Sequence, residues 1–212
     1  AGNDEHDFDA KSGDDIMVQG ESVIRNEGMF GFDWSIYKGV SFGADADLRV
    51  PIFTTEQQDI LRNRFDKTEA LSGWDHDDIL RGDDRVTDVG GAATVGTAEG
   101  VFFQDELTQA GVDRIDGLRA LLGDLIDAPT GATDEARELE IAFDEGNILL
   151  GGGGNDLLQG NGGNDFLDGD AWLNVRIRIT GSGEENSAAN EIATVDSLKH
   201  VFAAGEGPAA WS

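Results

Sequence analysis

The chain contains no cysteine, which excludes disulfide frameworks, thiolate metal sites and cysteine nucleophiles together while leaving the redox compartment open. Proline is scarce, with three residues against 30 glycines. That ratio points to many backbone positions needing positive φ or close approach, not to Pro-rich linkers. Basic residues are few as well: 15 Lys plus Arg face 43 Asp plus Glu, 28 of these Asp, for a formal net charge of -28 over 212 residues. A polyanion of this kind repels nucleic acid and anionic lipid, so neither is an expected partner. No apolar run approaches the roughly 20 residues of a membrane span, and no basic-then-apolar leader opens the sequence.

What is present is a 39% hydrophobic content, enough for a core, and an excess of carboxylate. Excess carboxylate either solvates a disordered chain or holds hard cations. Internal repeats favour the second use. Residues 151–168 read GGGGNDLLQ and then GNGGNDFLD, two consecutive nonapeptides in which Asp156 and Asp165 recur nine apart, as do Leu158 and Leu167. In weaker form the register puts Asn147 and Leu149 at the same positions one unit upstream, and Asn174 at the Asp position one unit downstream. A functionless Gly-rich loop does not require Gly, Asp and Leu to coincide in a fixed register.

This pattern resembles the RTX family, the hemolysin-type repeats of bacterial secreted proteins. The resemblance implies a mainly β fold, a parallel β-roll in which each nonapeptide is a Gly-rich turn followed by a short strand. Two nonapeptides complete one coil, so turns 18 residues apart lie above one another. The implied ligand is Ca2+, held by main-chain carbonyls from the second and fourth positions of one turn plus its Asp, and by those from the first and third positions of the turn one coil later plus its Asp. Carried over, one ion would lie among Gly152, Gly154 and Asp156 with Gly169, Ala171 and Asn174, and another between the Asn147 turn and Gly160, Gly162 and Asp165. Asn147 and Asn174 replace Asp and halve the carboxylate charge of their sites, which predicts weaker binding or help from Asp168 or Asp170.

Two further blocks fit the register. At the N-terminus SGDDIMVQG places Asp15 and Met17 at the ligand and apolar positions, so that Lys11, Gly13 and Asp15 would face Gly28, Phe30 and Asp33. In GWDHDDILRGDD, Asp78 and Leu80 are in place and Gly82 opens a turn that the following residues do not continue. Residues 84–145 then read as an insertion into one nonapeptide. The 73–81 turn should therefore stack directly before 151–159, with Asp78 sharing an ion with Asp156 and with Trp74 and His76, Gly151 and Gly153 among its implied ligands. Within the insertion, Leu107, Val112, Ile115, Leu118, Leu121, Leu122 and Leu125 recur at helical spacing, and residues 135–143 suggest a second short helix. Val40, Ala44, Ala46 and Leu48 suggest a strand pair extending or capping the repeats. Residues 175–179 read as a strand, 181–190 as a loop and 195–203 as a closing helix, with 181–212 forming a C-terminal cap and tail. The whole is expected to be a single domain.

Other constellations carry less. His6, His76 and His200 lack the clustering a zinc site needs. The glycine spacing in 151–163 is not a dinucleotide site, since no buried strand and long helix flank it. No Asp/Glu pair stands apart as a glycosidase couple. Asp4, Asp7 and Asp9 read as a solvated edge. Trp34, Trp74 and Trp172, each beside a repeat turn, suit packing or capping better than sugar stacking.

The phrases GFDWSIYKG, LSGWDHDDILRG and DGDAWLNVRIRIT resemble repeat regions joined to bacterial proteins of the animal haem peroxidase type, spanning much of residues 28–180. Nothing here resembles the haem-binding catalytic domain of such proteins. The resemblance thus implies a non-catalytic calcium-binding module, secreted by a type I route without an N-terminal signal and folding outside the cell within a larger parent chain. The alternative is an adhesin or docking module that binds an extracellular protein or glycan through the insertion or an exposed edge.

Overall fold

The structure, a computed structural model, describes residues 6–84, 105–126, 128–130, 133, 138, 140–144, 146–180 and 191–196. The chain divides into two compact units, residues 1–173 and 174–212. It is mainly β, and the sheets of the first unit are built chiefly from parallel strands.

Short apolar triplets bounded by Gly, Asn and Asp form the strands, as strand and turn chemistry require. In chain order they are β1 (His6–Asp9), β2 (Ile16–Val18), β3 (Ile24–Glu27), β4 (Trp34–Ile36), β5 (Asp45–Asp47), β6 (Arg64–Asp66), β7 (Ala70–Ser72) and β8 (Ile79–Arg81), with a one-turn helix α1 (Gln57–Ile60) between β5 and β6. After the insertion come β11 (Ile148–Leu150), β12 (Leu157–Gln159) and β13 (Phe166–Asp168). One parallel sheet has the order β13-β11-β7-β4-β2, a second β12-β8-β5 and a third β1-β3-β6. The chain alternates between the five-stranded sheet and one of the other two, except that β5 and β6 follow one another in the two smaller sheets.

The register makes the repeat visible in space. Ile16 pairs with Trp34 and Ile148 with Phe166, each 18 residues apart, while Trp34 pairs with Ala70, twice that spacing. Ile79 pairs with Leu157 and Ala70 with Ile148, in both cases 78 positions on, which is 18 plus a 60-residue interruption. The two passes of chain flanking the insertion are therefore direct neighbours.

Residues two positions after the turn acid face inward. Met17, Ser35, Leu71, Leu80 and Leu149 are all buried. Leu71, Leu80 and Leu149 join Tyr37, Val40, Ala44, Ala46, Leu48 and Phe65 in one core cluster, with Leu158 packed against it. Each fully buried leucine contributes about 1.5–3 kcal/mol, so the apolar position of the repeat carries much of the fold. Leu167, on the edge strand β13, is exposed. The strands on either side of Val40, β4 and β5, belong to different sheets and do not pair with each other, in contrast to the expected strand pair.

In the insertion the helical spacing is interrupted. Leu107 lies in the short strand β9 (Leu107–Thr108), followed by α2 (Gln109–Arg114) and α3 (Leu118–Leu122). The Thr108 hydroxyl caps α2 by accepting from the Gly111 amide at 3.0 Å, and Gly117, at φ 88°, separates the helices. Leu107, Val112, Leu118 and Leu122 are buried, but Leu125 is exposed. Of the expected helix at 135–143, residues 141–143 instead form a strand, β10 (Ile141–Phe143), antiparallel to β9. Pairing with β9 satisfies the backbone there, and the remainder falls largely outside the described residues.

In the second unit, β14 (Ile177–Thr180) pairs antiparallel with β15 (Glu191–Val195). Val195 is thus a strand residue, and the expected helix beyond it, with the 181–190 loop, lies outside the described residues.

Candidate metal centre

Each strand of the five-stranded sheet is immediately preceded by a polar residue: Asp15, Asp33, Glu69, Asn147 and Asp165 before β2, β4, β7, β11 and β13. From Asp33 onward these side chains form a ladder in which each caps the backbone of the previous pass. The Asp15 amide donates to Asp33 Oδ1 at 2.9 Å, the Asp33 amide to Glu69 Oε2 at 2.7 Å, and the Asn147 amide to Asp165 Oδ1 at 2.8 Å. Asn147 Nδ2 donates to the Glu69 carbonyl at 3.2 Å. A second ladder precedes β5, β8 and β12, where the Ala44 amide donates to Asp78 Oδ1 at 2.6 Å and the Asp78 amide to Asp156 Oδ1 at 2.9 Å.

The backbone of the turns repeats too. Four turns place residues with positive φ four and two positions before the acid: Lys11 and Gly13, Met29 and Gly31, Gly152 and Gly154, Asn161 and Gly163. Lys11, Met29 and Asn161 hold this conformation without being glycine, which the surrounding contacts must over-determine. The 73–78 turn departs, since neither Trp74 nor His76 has positive φ. Their carbonyls nonetheless reach the next pass: a Cβ on Gly152 would collide with the Trp74 oxygen, and one on Gly154 with the His76 oxygen. The Gly153 amide donates to that Trp74 oxygen at 2.6 Å. In the same way a Cβ on Gly31 would meet the Gly13 oxygen.

The glycine five positions before Asp78, Asp156 and Asp165 marks a cradle. A Cβ on Gly73 would strike both Asp78 Oδ2 and the Gly151 carbonyl oxygen, and one on Gly151 would meet Asp156 Oδ2 and, at 2.8 Å, the Gly169 carbonyl oxygen. Gly160 similarly abuts Asp165 Oδ2. Gly82 abuts Asn147 Oδ1 and the Gly160 oxygen, while the Asp83 amide donates to Asn147 Oδ1 at 2.9 Å and the Gly162 amide to the Asp83 oxygen at 3.2 Å. The turn that Gly82 opens is therefore closed by Asn147, across the whole insertion.

The carboxylates sit in a desolvated setting. Asp33 is fully buried, Asp78 2% exposed, and burial raises the pKa of Asp15, Asp78 and Asp165 above the ordinary carboxylate value. Asp33 is pushed up to about 7, by burial first and then by the charges of Asp15, Asp14 and Asp105, against the Asp15 amide that lowers it. Asp15, Asp33 and Asp156 each leave a buried Oδ2 that accepts no hydrogen bond. Such an oxygen costs on the order of 1–3 kcal/mol or more when it is charged and left uncompensated. Carboxylate and main-chain carbonyl oxygens brought to one spot are the donor set of a hard divalent cation. Among the described residues, no three or more His, Asp or Glu side chains form a metal-holding group; the oxygens gathered at the turns are single carboxylates beside main-chain carbonyls.

Of the residues expected to act together, Gly13, Asp15, Gly28, Phe30 and Asp33 lie in two adjacent turns, as do Trp74, His76 and Asp78 with Gly151–Asp156. Gly169 and Ala171 follow β13, where the Asp168 carboxylate accepts from the Asp170 and Ala171 amides, both at 2.9 Å. Asn174 falls in the second unit. Sequence reasoning passed over Glu69, although it lies 36 residues after Asp33 and two before the inward Leu71, and over Asp83, whose turn is split by the insertion. Trp34 is buried and packs edge-on to Phe32 at 6.0 Å. Trp74 packs edge-on to Trp172 at 5.9 Å, with Lys38 Nζ 5.6 Å from its ring centroid.

No protein-family model, curated protein or solved structure matches this chain.

Proposed function

We propose that the chain is a non-catalytic calcium-binding module, a β-roll of the RTX type, that completes its fold on taking up calcium outside the cell as part of a larger secreted protein. The observation that carries this reading is the convergence of a buried acidic oxygen lacking a hydrogen bond with a carbonyl of the neighbouring pass, as where Asp156 Oδ2 and the Gly169 oxygen crowd the same point at Gly151, with Asp15 and Asp33 each leaving such an oxygen as well. Bound there, a calcium ion would neutralise these carboxylates and tie consecutive turns together. The chain supplies the rest: left-handed residues aim the carbonyls, glycines leave the space, and the inward leucines hold the passes in register. Without such neutralisation, a formal charge of -28 opposes compaction. Coupling metal affinity to folding makes the transition follow calcium concentration, and extracellular modules of millimolar to submillimolar affinity stay unloaded in the cytosol.

The test is a calcium titration of chelator-treated protein followed by far-UV circular dichroism, with magnesium at equal ionic strength as control. A cooperative gain of β signal with calcium alone is expected. Protein already folded in chelator and indifferent to calcium would sink the proposal.

A second reading, a docking module for a glycan, draws on one feature. A cleft of about 320 Å³ is lined by the exposed Phe42 and Leu61 together with Glu21, Asp45, Arg62 and Asn63. Asp45 Oδ1 accepts from both Arg62 and Arg81. Binding of immobilised glycans lost on Phe42→Ala, with the calcium response intact, would favour this reading.

A further inference from the structure

The turn 28–33 faces two neighbours, and only one is accounted for by the nonapeptide register. On one side lies the turn ending in Asp15. On the other lies segment 64–69, whose sequence has none of the glycines of a repeat turn but whose strands continue the same sheets: β6 pairs with β3, and β7 with β4.

Asp33 Oδ1 is occupied by the Asp15 amide, so its Oδ2 is the oxygen left without a partner. That atom and the Lys67 carbonyl oxygen both crowd the position a Cβ on Gly28 would take. This is the cradle seen at Gly73, where Asp78 Oδ2 meets the Gly151 oxygen, and at Gly151, where Asp156 Oδ2 meets the Gly169 oxygen. Lys67 is one of four non-glycine residues with positive φ among the described residues, at 49°, an unfavourable conformation for a lysine. Met29 and Gly31 carry the same left-handed φ as Lys11 and Gly13, so the 28–33 turn has the conformation of a turn that offers its second and fourth carbonyls onward.

The charge around this point is lopsided. Glu69 is buried beside Asp33, Asp105 from the insertion acts on Asp33 electrostatically, and Lys67 Nζ stands 3.5 Å from Asp105 Oδ2.

We propose that a second hard divalent cation, calcium by its oxygen ligands, binds on the far side of the Gly28–Asp33 turn, between Asp33 Oδ2 and the Lys67 carbonyl and next to the insertion at Asp105. This rests on the calcium-binding reading above, and extends it to a turn that the repeat pattern does not mark. The ion would be the one shared between the repeats and the insertion, so its uptake would be linked to seating of residue 105.

The experiment is calcium stoichiometry by equilibrium dialysis on the full chain, comparing wild type, Asp15→Asn, Asp33→Asn and the double variant. With separate ions on the two sides of the turn, the double variant binds two fewer ions than wild type. With a single ion shared by Asp15 and Asp33, the double variant and each single variant lose the same one ion, and the proposal is overturned. Wild type that binds no calcium at all removes the underlying reading instead. Should the variants fail to fold, wild-type crystals soaked in terbium give the answer directly: an anomalous peak beside Asp33 Oδ2 and the Lys67 oxygen supports the site, and peaks at the other turns with none there reject it.

Discussion

Asp78 and Asp156 lie 78 positions apart in the chain, and the amide of the first donates to the carboxylate of the second at 2.9 Å. The contact continues on both sides, through the Asn155 amide to Asp77 Oδ1 at 2.8 Å and through the Leu157 amide to the Asp78 carbonyl at 2.8 Å. An interruption of 60 residues, about three coils' worth of sequence, has therefore left the stacking of the flanking passes intact. This is possible because the closure of a surface loop grows in cost only slowly with length.

The first prediction concerns that contact. Asp156→Ala removes an acceptor from a buried amide and a carboxylate from the cradle at Gly151, so it should lower calcium affinity at least tenfold, or about 1.4 kcal/mol. Asp9→Ala, at an exposed position with only a 3.9 Å contact to Lys11, should leave affinity nearly unchanged. Calorimetric titration of both variants decides the matter; equal effects would falsify the register of the ladder.

A second prediction tests the cradles by filling them. Gly73→Ala and Gly151→Ala put a methyl group against a carboxylate oxygen and a backbone carbonyl that cannot swing away, and should destabilise the calcium-loaded protein by about 1–3 kcal/mol. Gly20→Ala, where nothing lies within 4 Å, should change stability by less than about 0.5 kcal/mol. Urea midpoints at saturating calcium would show the contrast, and similar midpoints for all three would mean that the close approach is not maintained in solution.

The strongest parts of this architecture were legible because they are written in a fixed period. Gly, Asp and Leu recur at nine residues around Asp156 and Asp165, and the same signal located Asp15 and Asp78. It also located the insertion, since Gly82 opens a turn that only Asn147 completes. Glu69 escaped because its turn reaches the ladder without repeat glycines: Lys67 adopts positive φ as a lysine, which composition cannot reveal. Residues 141–143 form a strand where the spacing predicts helix, because apolar spacing in a short segment does not separate the two periods and a tertiary partner, β9, decides the outcome. Leu107 shares the helical spacing of the stripe but lies in β9 for the same reason.

The buried acid at Asp33 makes a pH prediction. Its folded pKa of about 7 exceeds the ordinary 3.8, so the metal-free fold favours the protonated form. That contribution to stability is complete below about 3.8 and is lost as pH rises through about 7. Asp14, Asp15 and Asp105 surround it with like charge, and Glu69 accepts its amide. Cation and proton compete for the same oxygens, so calcium affinity should be higher at pH 8 than at pH 5.5, and uptake near neutral pH should release protons. Titrations in buffers of different ionisation enthalpy measure that release. An affinity flat across this range would show that Asp33 ionises normally in the metal-free chain.

The insertion offers a final separation, between what holds it down and what the repeats need. Arg114 joins Asp14 at 3.0 Å to Glu138 at 2.6 Å, but the guanidinium is half exposed, and exposed pairs contribute only about 0–1 kcal/mol. Leu122 is 2% exposed, and truncating such a leucine costs about 2–5 kcal/mol. Leu122→Ala should therefore loosen the insertion far more than Arg114→Ala does. Because β8 and β12 pair directly across the insertion's two ends, that loosening should leave the stacked turns standing. Limited proteolysis with calcium present would then cut Leu122→Ala within 105–126 while its ion stoichiometry at the Asp78 and Asp156 turns stays at the wild-type value. If calcium binding collapses together with the insertion, the inserted residues are part of the framework that the turns require.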